Sequence, residues 1–297
     1  MFCRANAATI TQSHFFKVNM SRCVVSIIDL VLHVRSSLAL LTLALVLAPT
    51  AIAAGLNDTG QTVCYQGSSS TSGPCSAAVT GDASLWPRQD GRYGRDARAS
   101  KGLLTKVGSG AAGFDFTKVA NDGTTPATGL ALGANPGDWA CTKDNVTGLI
   151  WEVKTAAAGL RNVGHTYTWY SAATTNLGNP GSVGTTATCG NTLGANPCNT
   201  QSYVVAVNAA NSGAGLCGHN DWRLPTPREL LTIVHAGLGN PAIDGAYFPN
   251  TIGNEHWTAP TTAFAPANAW AVEFYQGASV GRSKSTNSLY IRLVRGG

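Results

Sequence analysis

Six cysteines, Cys64, Cys75, Cys141, Cys189, Cys198 and Cys217, follow an apolar run with the layout of an export signal. An even number of cysteines in a chain bound for an oxidising compartment predicts a disulfide framework. That framework restricts the fold more than any other feature here. Six cysteines allow about fifteen pairings, and the sequence selects none of them outright. Local closure favours Cys64 with Cys75 and Cys189 with Cys198, since each pair brackets a loop rich in Gly, Ser, Thr or Asn, and it leaves Cys141 and Cys217 to join. Zinc is the competing use of these residues. It is disfavoured because there is no C-x-x-C pair and no His couplet at finger spacing, so neither a metal nor a cofactor is expected.

The leader is "SSLALLTLALVLAPTAIAA" (36–54), with an apolar stretch from Leu38 to Leu47, then Pro49 and small residues suited to cleavage. The apolar stretch is shorter than the ~20 residues a membrane helix needs, which makes it a signal peptide over 34–54. The mature chain is expected to begin near Ala54 or Gly55, with no membrane span. About thirty-three residues of mixed sequence before such a leader are anomalous for this class of signal. Residues 1–33 are therefore expected to be mis-assigned upstream sequence, with translation starting at Val34 from a non-ATG codon; Met20 is the alternative start.

Cysteines Cys3 and Cys23 fall in that upstream part, and the first 54 residues together hold four basic residues and one acidic residue. The 20 basic and 15 acidic residues of the whole chain thereby become 16 and 14, a net charge of +2 after cleavage. A global basic field is absent, and nucleic acid is not an expected partner. Only 12% of the chain is charged, about half the usual share, while 44% is hydrophobic, enough for a sizeable core.

Residues 55–140 carry turn signals such as "SGPC" and "NDGTTP" and predict loops and short strands. Regular patterning begins at "DNVTGLIWEVKT" (144–155), where Leu149, Trp151 and Val153 alternate with Ile150, Glu152 and Lys154. Helices are predicted over 166–177 and 199–211, the second capped at Asn199 or Thr200 and ended by Gly213 and Gly215. Strands are predicted over 255–260, 269–275 and 289–296. Strands after helices without β-α alternation give an α+β fold with an antiparallel sheet and two or three helices. "LGANP" and "LGNP" each recur once at the same offset, but the sequence between does not match, so these are Asn-Pro turns and not a duplication.

The densest polar cluster is "CGHNDWRLPTPREL" (217–230). Its "TPRE" is a capping box, with Thr226 as N-cap, Pro227 at the first helical position and Glu229 reaching back to the cap amide. Leu230, Ile233 and Val234 form an apolar face, and Gly237 is expected to close the helix. Trp222 and Leu224 flank Arg223 in a short strand. His219 and Asp221 are read as turn residues, because a catalytic triad needs a third group that nothing here places.

"DNVTGLIWE" (144–152), "NDWRLPTPREL" (220–230), "AIDGAYFPNT" (242–251), "HWTAPT" (256–261) and "YIRLVRG" (290–296) resemble, in order and spacing, the family typified by the C-terminal domain of the collagen-like Legionella adhesin. The resemblance covers about residues 141–297, with weaker likeness to exported members at "DTGQTVCYQ" and "PRQDGRYGRDA". It implies a C-type-lectin-like α+β fold, distant kinship with sulfatase-modifying enzymes and phage receptor-binding proteins, and, for the adhesin, attachment through sulfated glycans. This chain has no Gly-x-y repeat, so a collagen stalk is not supported. It also lacks the Glu-Pro-Asn and Trp-Asn-Asp motifs of animal lectins.

The expected function is an exported recognition or adhesion module on a bacterial surface, in the periplasm or secreted. Its partner is expected to be an extracellular polysaccharide or sulfated glycan, with self-association open. The candidate binding residues are Arg282, Lys284, Arg292 and Arg295, near Tyr275 and Tyr290, since arginine forks suit sulfate and carboxylate. Arg292 and Arg295 have the alternative of being strand residues or internal ion-pair partners. Arg282 and Lys284 sit in a Gly/Ser-rich loop, a better place for ligand contact. A structural part of an appendage is the second reading. An enzyme is the third and is not expected, because the cysteines that sulfatase-modifying chemistry needs are assigned to crosslinks.

Overall fold

In a computed structural model, residues 55–65, 72–75, 89–125, 131–173, 177–286 and 288–296 are described. The expected start at Val34 and the leader at 34–54 lie outside them. Three disulfides close as Cys64–Cys75, Cys141–Cys217 and Cys189–Cys198, with Cα separations of 4.9, 6.4 and 5.6 Å. This is the pairing that local closure favours.

The fold is α+β, and its named strand pairs are all antiparallel. Strands β1 (Val63–Tyr65) and β2 (Ser72–Pro74) form a hairpin stapled by Cys64–Cys75, followed by helix α1 (Gly94–Ser100). A four-stranded sheet contains β3 (Phe116–Ala120), β4 (Trp139–Asp144), β5 (Ile150–Glu152) and β11 (Val294–Arg295), in the order β11-β5-β4-β3. A three-stranded sheet runs β7 (Glu255–Thr262), β8 (Ala265–Glu273) and β9 (Ser279–Ser283). Strands β6 (Tyr167–Thr168) and β10 (Ser288–Leu289) pair between them in sequence. Helices α2 (Thr200–Asn208) and α3 (Pro227–Leu231) complete the set. Strand β3 pairs along its length with β4.

Local chemistry explains these elements. Asp144 ends β4 and its carboxylate accepts from Val146 N and from the amide and hydroxyl of Thr147, folding a tight turn into β5. Asn199 caps α2 by accepting from Ser202 N. Thr226 and Glu229 form the reciprocal capping box of α3.

Several elements differ from the sequence reading. Of the helix expected over 166–177, residues 174–176 lie outside the described residues, and 166–173 is strand β6 and loop, because Tyr167 and Trp169 alternate into the core and Trp169 Nε1 donates to Thr258 O at 3.0 Å. Helix α3 stops after Leu231 and not at Gly237. Ile233 N and Val234 N then bond three residues back, and Ile233 and Val234 are buried from that tightened turn. The predicted 289–296 strand is divided between two sheets, β10 and β11. Helix α1, in the region expected to be loops and strands, was not expected at all.

The core has two clusters. One gathers Tyr167, Trp169, Tyr203, Trp222, Trp257 and two disulfides; the other gathers Phe114, Phe116, Trp151, Leu230, Phe248 and Phe274. Both faces of β5 are buried, so the alternation in "LIWEVK" separates two core faces and Glu152 and Lys154 lie inside.

Candidate functional site

The four cations expected to meet a polyanion are each engaged within the protein. Arg292 is fully buried: Nη1 donates to Glu152 O, Nη2 to Thr251 Oγ1, and the guanidinium lies over the Phe248 ring. Lys284 is 1% exposed, with Nζ 2.8 Å from both Asn179 O and Thr261 Oγ1 and 4.1 Å above the Trp169 ring. Both side chains point into the protein, because the segments that carry them fold inward. Arg295 is forked onto Asp221, at 2.8 and 3.0 Å, which holds the Asp221 carboxyl below its ordinary range. Asp221 is thereby an ion-pair partner on a turn, and His219 is held below its ordinary value by burial and then by Arg295.

Arg282 remains at the surface, where its Nε is 2.8 Å from each oxygen of Glu255 and its Nη2 closes the same pair. That hydrogen-bonded pairing raises its affinity for the proton further. Tyr275 is 53% exposed. Of the expected site residues, Arg282 and Tyr275 come together, with Tyr290, around one open groove of about 640 Å³.

The groove is built by the β8–β9 hairpin and its neighbours. Glu273, the last residue of β8, accepts from the backbone amides of Tyr275, Gln276 and Ala278, which locks the turn that presents the Tyr275 ring. Gly277 has φ +85, and a Cβ there would stand 2.5 Å from Val234 Cγ1, so the turn requires glycine. Register sets Glu255 opposite Glu273. Tyr290 is fixed by backbone bonds to Glu255 O and from Trp257 N, and its ring lies 5.6 Å from that of buried His256. Thr166, Asn254 and Ser288 complete the polar wall. Among the described residues the Tyr275 and Tyr290 hydroxyls have no partner, and the buried Ser288 Oγ has none either. The sequence reading missed Glu255, Glu273, Asn254, Thr166 and Ser288. Only Glu273, four residues before Gly277, carries a local signal.

A second depression of about 620 Å³ is lined by Trp169, Leu177, Val204, Val205, Leu224 and Pro260, among others. Several of its polar groups are engaged: Thr200 Oγ1 bonds both ways with the Tyr170 backbone, Gln201 Oε1 accepts from Ala172 N, and Arg223 is forked onto Glu229. It is an apolar face without the convergent free polar groups of a ligand site.

The buried charges form a third cluster. Glu152 accepts from Lys154 Nζ, the Tyr203 hydroxyl and Leu293 N. Burial alone would raise its carboxyl, but Lys154 and these bonds hold it below the ordinary range. Burial lowers Lys154 to about 8 and Arg292 to about 10, against the opposing pull of Glu152. Arg161, also buried, donates to Ala140 O, Val153 O and Gly133 O. Every one of these groups braces backbone or a neighbour. Elsewhere Asp58, Asp90 and Asp96 bring oxygens within 4.8 Å of one another. Asp96 there accepts from Gly60 N and Gly113 N, and Asp58 from Asp96 N, as clamps on the N-terminal segment.

Fold and site together define a disulfide-stabilised α+β protein with a tyrosine-walled surface groove, of the kind that fits an extracellular setting. The family model of the Lcl C-terminal domain matches residues 140–295, and the chain belongs to that family. The family ties the chain to surface and adhesin-related modules. No curated protein and no solved structure matches the chain. Among the described residues no helix is long and apolar enough to cross a membrane.

Proposed function

We propose that the protein is exported through its 34–54 leader and acts as a recognition module that holds a surface polymer in the groove between Tyr275 and Tyr290. On this reading the fold is C-type-lectin-like, and the module starts near residue 141. The observation that carries it is the half-exposed Tyr275 ring on a turn fixed by Glu273, across from a second tyrosine and beside polar groups that are not satisfied internally. Aromatic rings with two rotatable bonds give large contact area at low entropic cost.

The test uses the mature chain and beads coated with extracellular polysaccharide extracted from the producing bacterium. The wild type is retained, and replacing Tyr275 and Tyr290 together by Ala abolishes retention while the melting temperature stays within a few degrees. Equal retention of the variant removes the groove from consideration.

A second reading, a structural part of an appendage, is favoured by the apolar face around Leu177 and Val205, both more than half exposed. Light scattering after size exclusion separates the two: a monomer supports recognition, and an assembly that Val205→Asp disperses supports the structural role.

A further inference from the structure

We infer that the ligand of the Tyr275–Tyr290 groove is an uncharged saccharide chain and not a polyanion. The inference rests on the reading that this groove is the binding face, and it concerns the class of ligand the groove accepts.

The charge lining the groove decides the class. Its ionisable walls are Glu255, Glu273 and Arg282, two carboxylates against one guanidinium. Arg282 spends its Nε–H and one Nη2–H on Glu255 and one Nη1–H on Gly281 O, so its charge is already matched by a carboxylate. A sulfate or carboxylate that recruits Arg282 either shares it with Glu255 or displaces Glu255. An exposed pair of this kind is weak enough to break. Breaking it, however, leaves Glu255 unpaired next to the incoming anion, with Glu273 opposite it in the sheet. Glu273 cannot turn away, since three backbone amides hold its oxygens. An anionic ligand therefore meets a net negative wall whichever partner Arg282 takes.

The remaining cations are not in reserve. Lys284 and Arg292 are buried and hydrogen-bonded, and Arg295 is forked onto Asp221. The nearest buried imidazole, His256, donates from Nδ1 to Asn254 O and lies among Phe274 and Tyr290, so the groove floor adds no positive charge.

What the groove does offer suits hydroxylated, uncharged rings. Tyrosine faces stack against the apolar C–H faces of a sugar. The Tyr275 and Tyr290 hydroxyls, the Thr166 hydroxyl and the Asn254 amide are all groups that both donate and accept, as sugar hydroxyls require. The volume of about 640 Å³ lies within the ligand-site range of roughly 300–1,000 Å³, and its open form suits a chain passing through.

The test is a printed array of uncharged, sulfated or carboxylated, and amino-sugar glycans, probed with labelled mature protein at about 50 and about 500 mM NaCl, between which screening shortens several-fold. Uncharged chains are expected to give the signal, at equal intensity in both salts. Tyr275→Ala should weaken it by about tenfold, equivalent to about 1.4 kcal/mol, and Tyr275→Phe should keep most of it. Signal confined to sulfated or carboxylated chains, collapsing at high salt but still lost in Tyr275→Ala, overturns the ligand class and leaves the groove as the binding face. Signal confined to amino sugars does the same. No signal, or signal indifferent to Tyr275→Ala, overturns both the class and the groove.

Discussion

The ammonium of Lys284 stands 4.1 Å above the indole ring of Trp169, 115 positions earlier in the chain, and ties the end of β9 to the loop at Asn179 and to Thr261 on β7. A lysine in a Gly/Ser-rich loop is thereby a strut between three segments. Lys284→Ala removes a desolvated cation–π contact and two hydrogen bonds, to the Asn179 carbonyl and the Thr261 hydroxyl. The expected loss is about 1–3 kcal/mol of stability in urea denaturation, with Tyr275-dependent retention on polysaccharide unchanged at temperatures where the variant is folded. Lost retention by a fully folded Lys284→Ala protein would return Lys284 to the binding surface.

Glu152 carries the same logic into the core. It is the acidic member of a buried set in which Lys154, Arg161 and Arg292 are cationic. Removing one partner of a buried charge pair costs more than the pair is worth, because the other charge is stranded. Glu152→Gln should therefore destabilise the fold by about 3–5 kcal/mol. Glu152→Gln combined with Lys154→Met should recover part of that loss. If the double variant is no more stable than Glu152→Gln alone, as read from denaturation midpoints, Lys154 is not what Glu152 neutralises.

How far these features could be read in advance depended on the range of the interaction. Capping at Thr226 and Glu229, the cap at Asn199 and the two local disulfides are written within about a dozen residues, and each is legible. The "TYTWY" run was ambiguous because aromatic alternation fits a strand while its length and the Ala pair after it fit a helix; pairing with β10, over a hundred residues later, decides for the strand. The internal partners of Arg292, Lys284 and Arg295 were not legible for a different reason. A cation in a strand or loop has the same sequence whether it points to water or inward, and its partners Glu152, Thr251, Asn179 and Asp221 are all distant in the chain. The groove was half legible, through Tyr275, Tyr290 and Arg282. Its carboxylates were not, since only the register of β7 against β8 brings Glu255 opposite Glu273.

The three crosslinks should differ in weight. In the chain-entropy account a disulfide stabilises by restricting the unfolded chain, more so for longer loops. Cys141 and Cys217 are 76 positions apart, against 9 for Cys189 and Cys198. Replacing the first pair by Ala should cost about 4–5 kcal/mol, and the second about 2–3 kcal/mol, as loss of denaturation free energy. A free-thiol titration of the folded mature wild-type protein should find none. Two reactive thiols would instead reopen the enzyme reading, which depends on cysteines outside crosslinks.

Acid sensitivity should arise in part at His256. Burial, with Arg292 and Lys154 adding repulsion, lowers its pKa to about 3 from an ordinary 6.5, so the ring is neutral in the folded protein while the unfolded chain takes up a proton below 6.5. The unfolded state then binds more protons, and stability falls as pH drops from 6.5 towards 3. At about 1.4 kcal/mol per unit, this one group accounts for ~3 kcal/mol of loss by about pH 4.5. His165, His219 and His235 are displaced in the same direction by burial and steepen the loss. Asp96 and Asp144, raised by burial, oppose it at lower pH, because their folded forms take up protons first. His256→Phe keeps the packing against Phe274 and Tyr290 but loses the Nδ1–H bond to Asn254 O, so it should cost about 1 kcal/mol at neutral pH. Below about pH 5.5 it should become the more stable of the two proteins. Denaturation curves taken across that interval check the crossing, and parallel slopes for wild type and variant would mean that His256 is not the group that titrates.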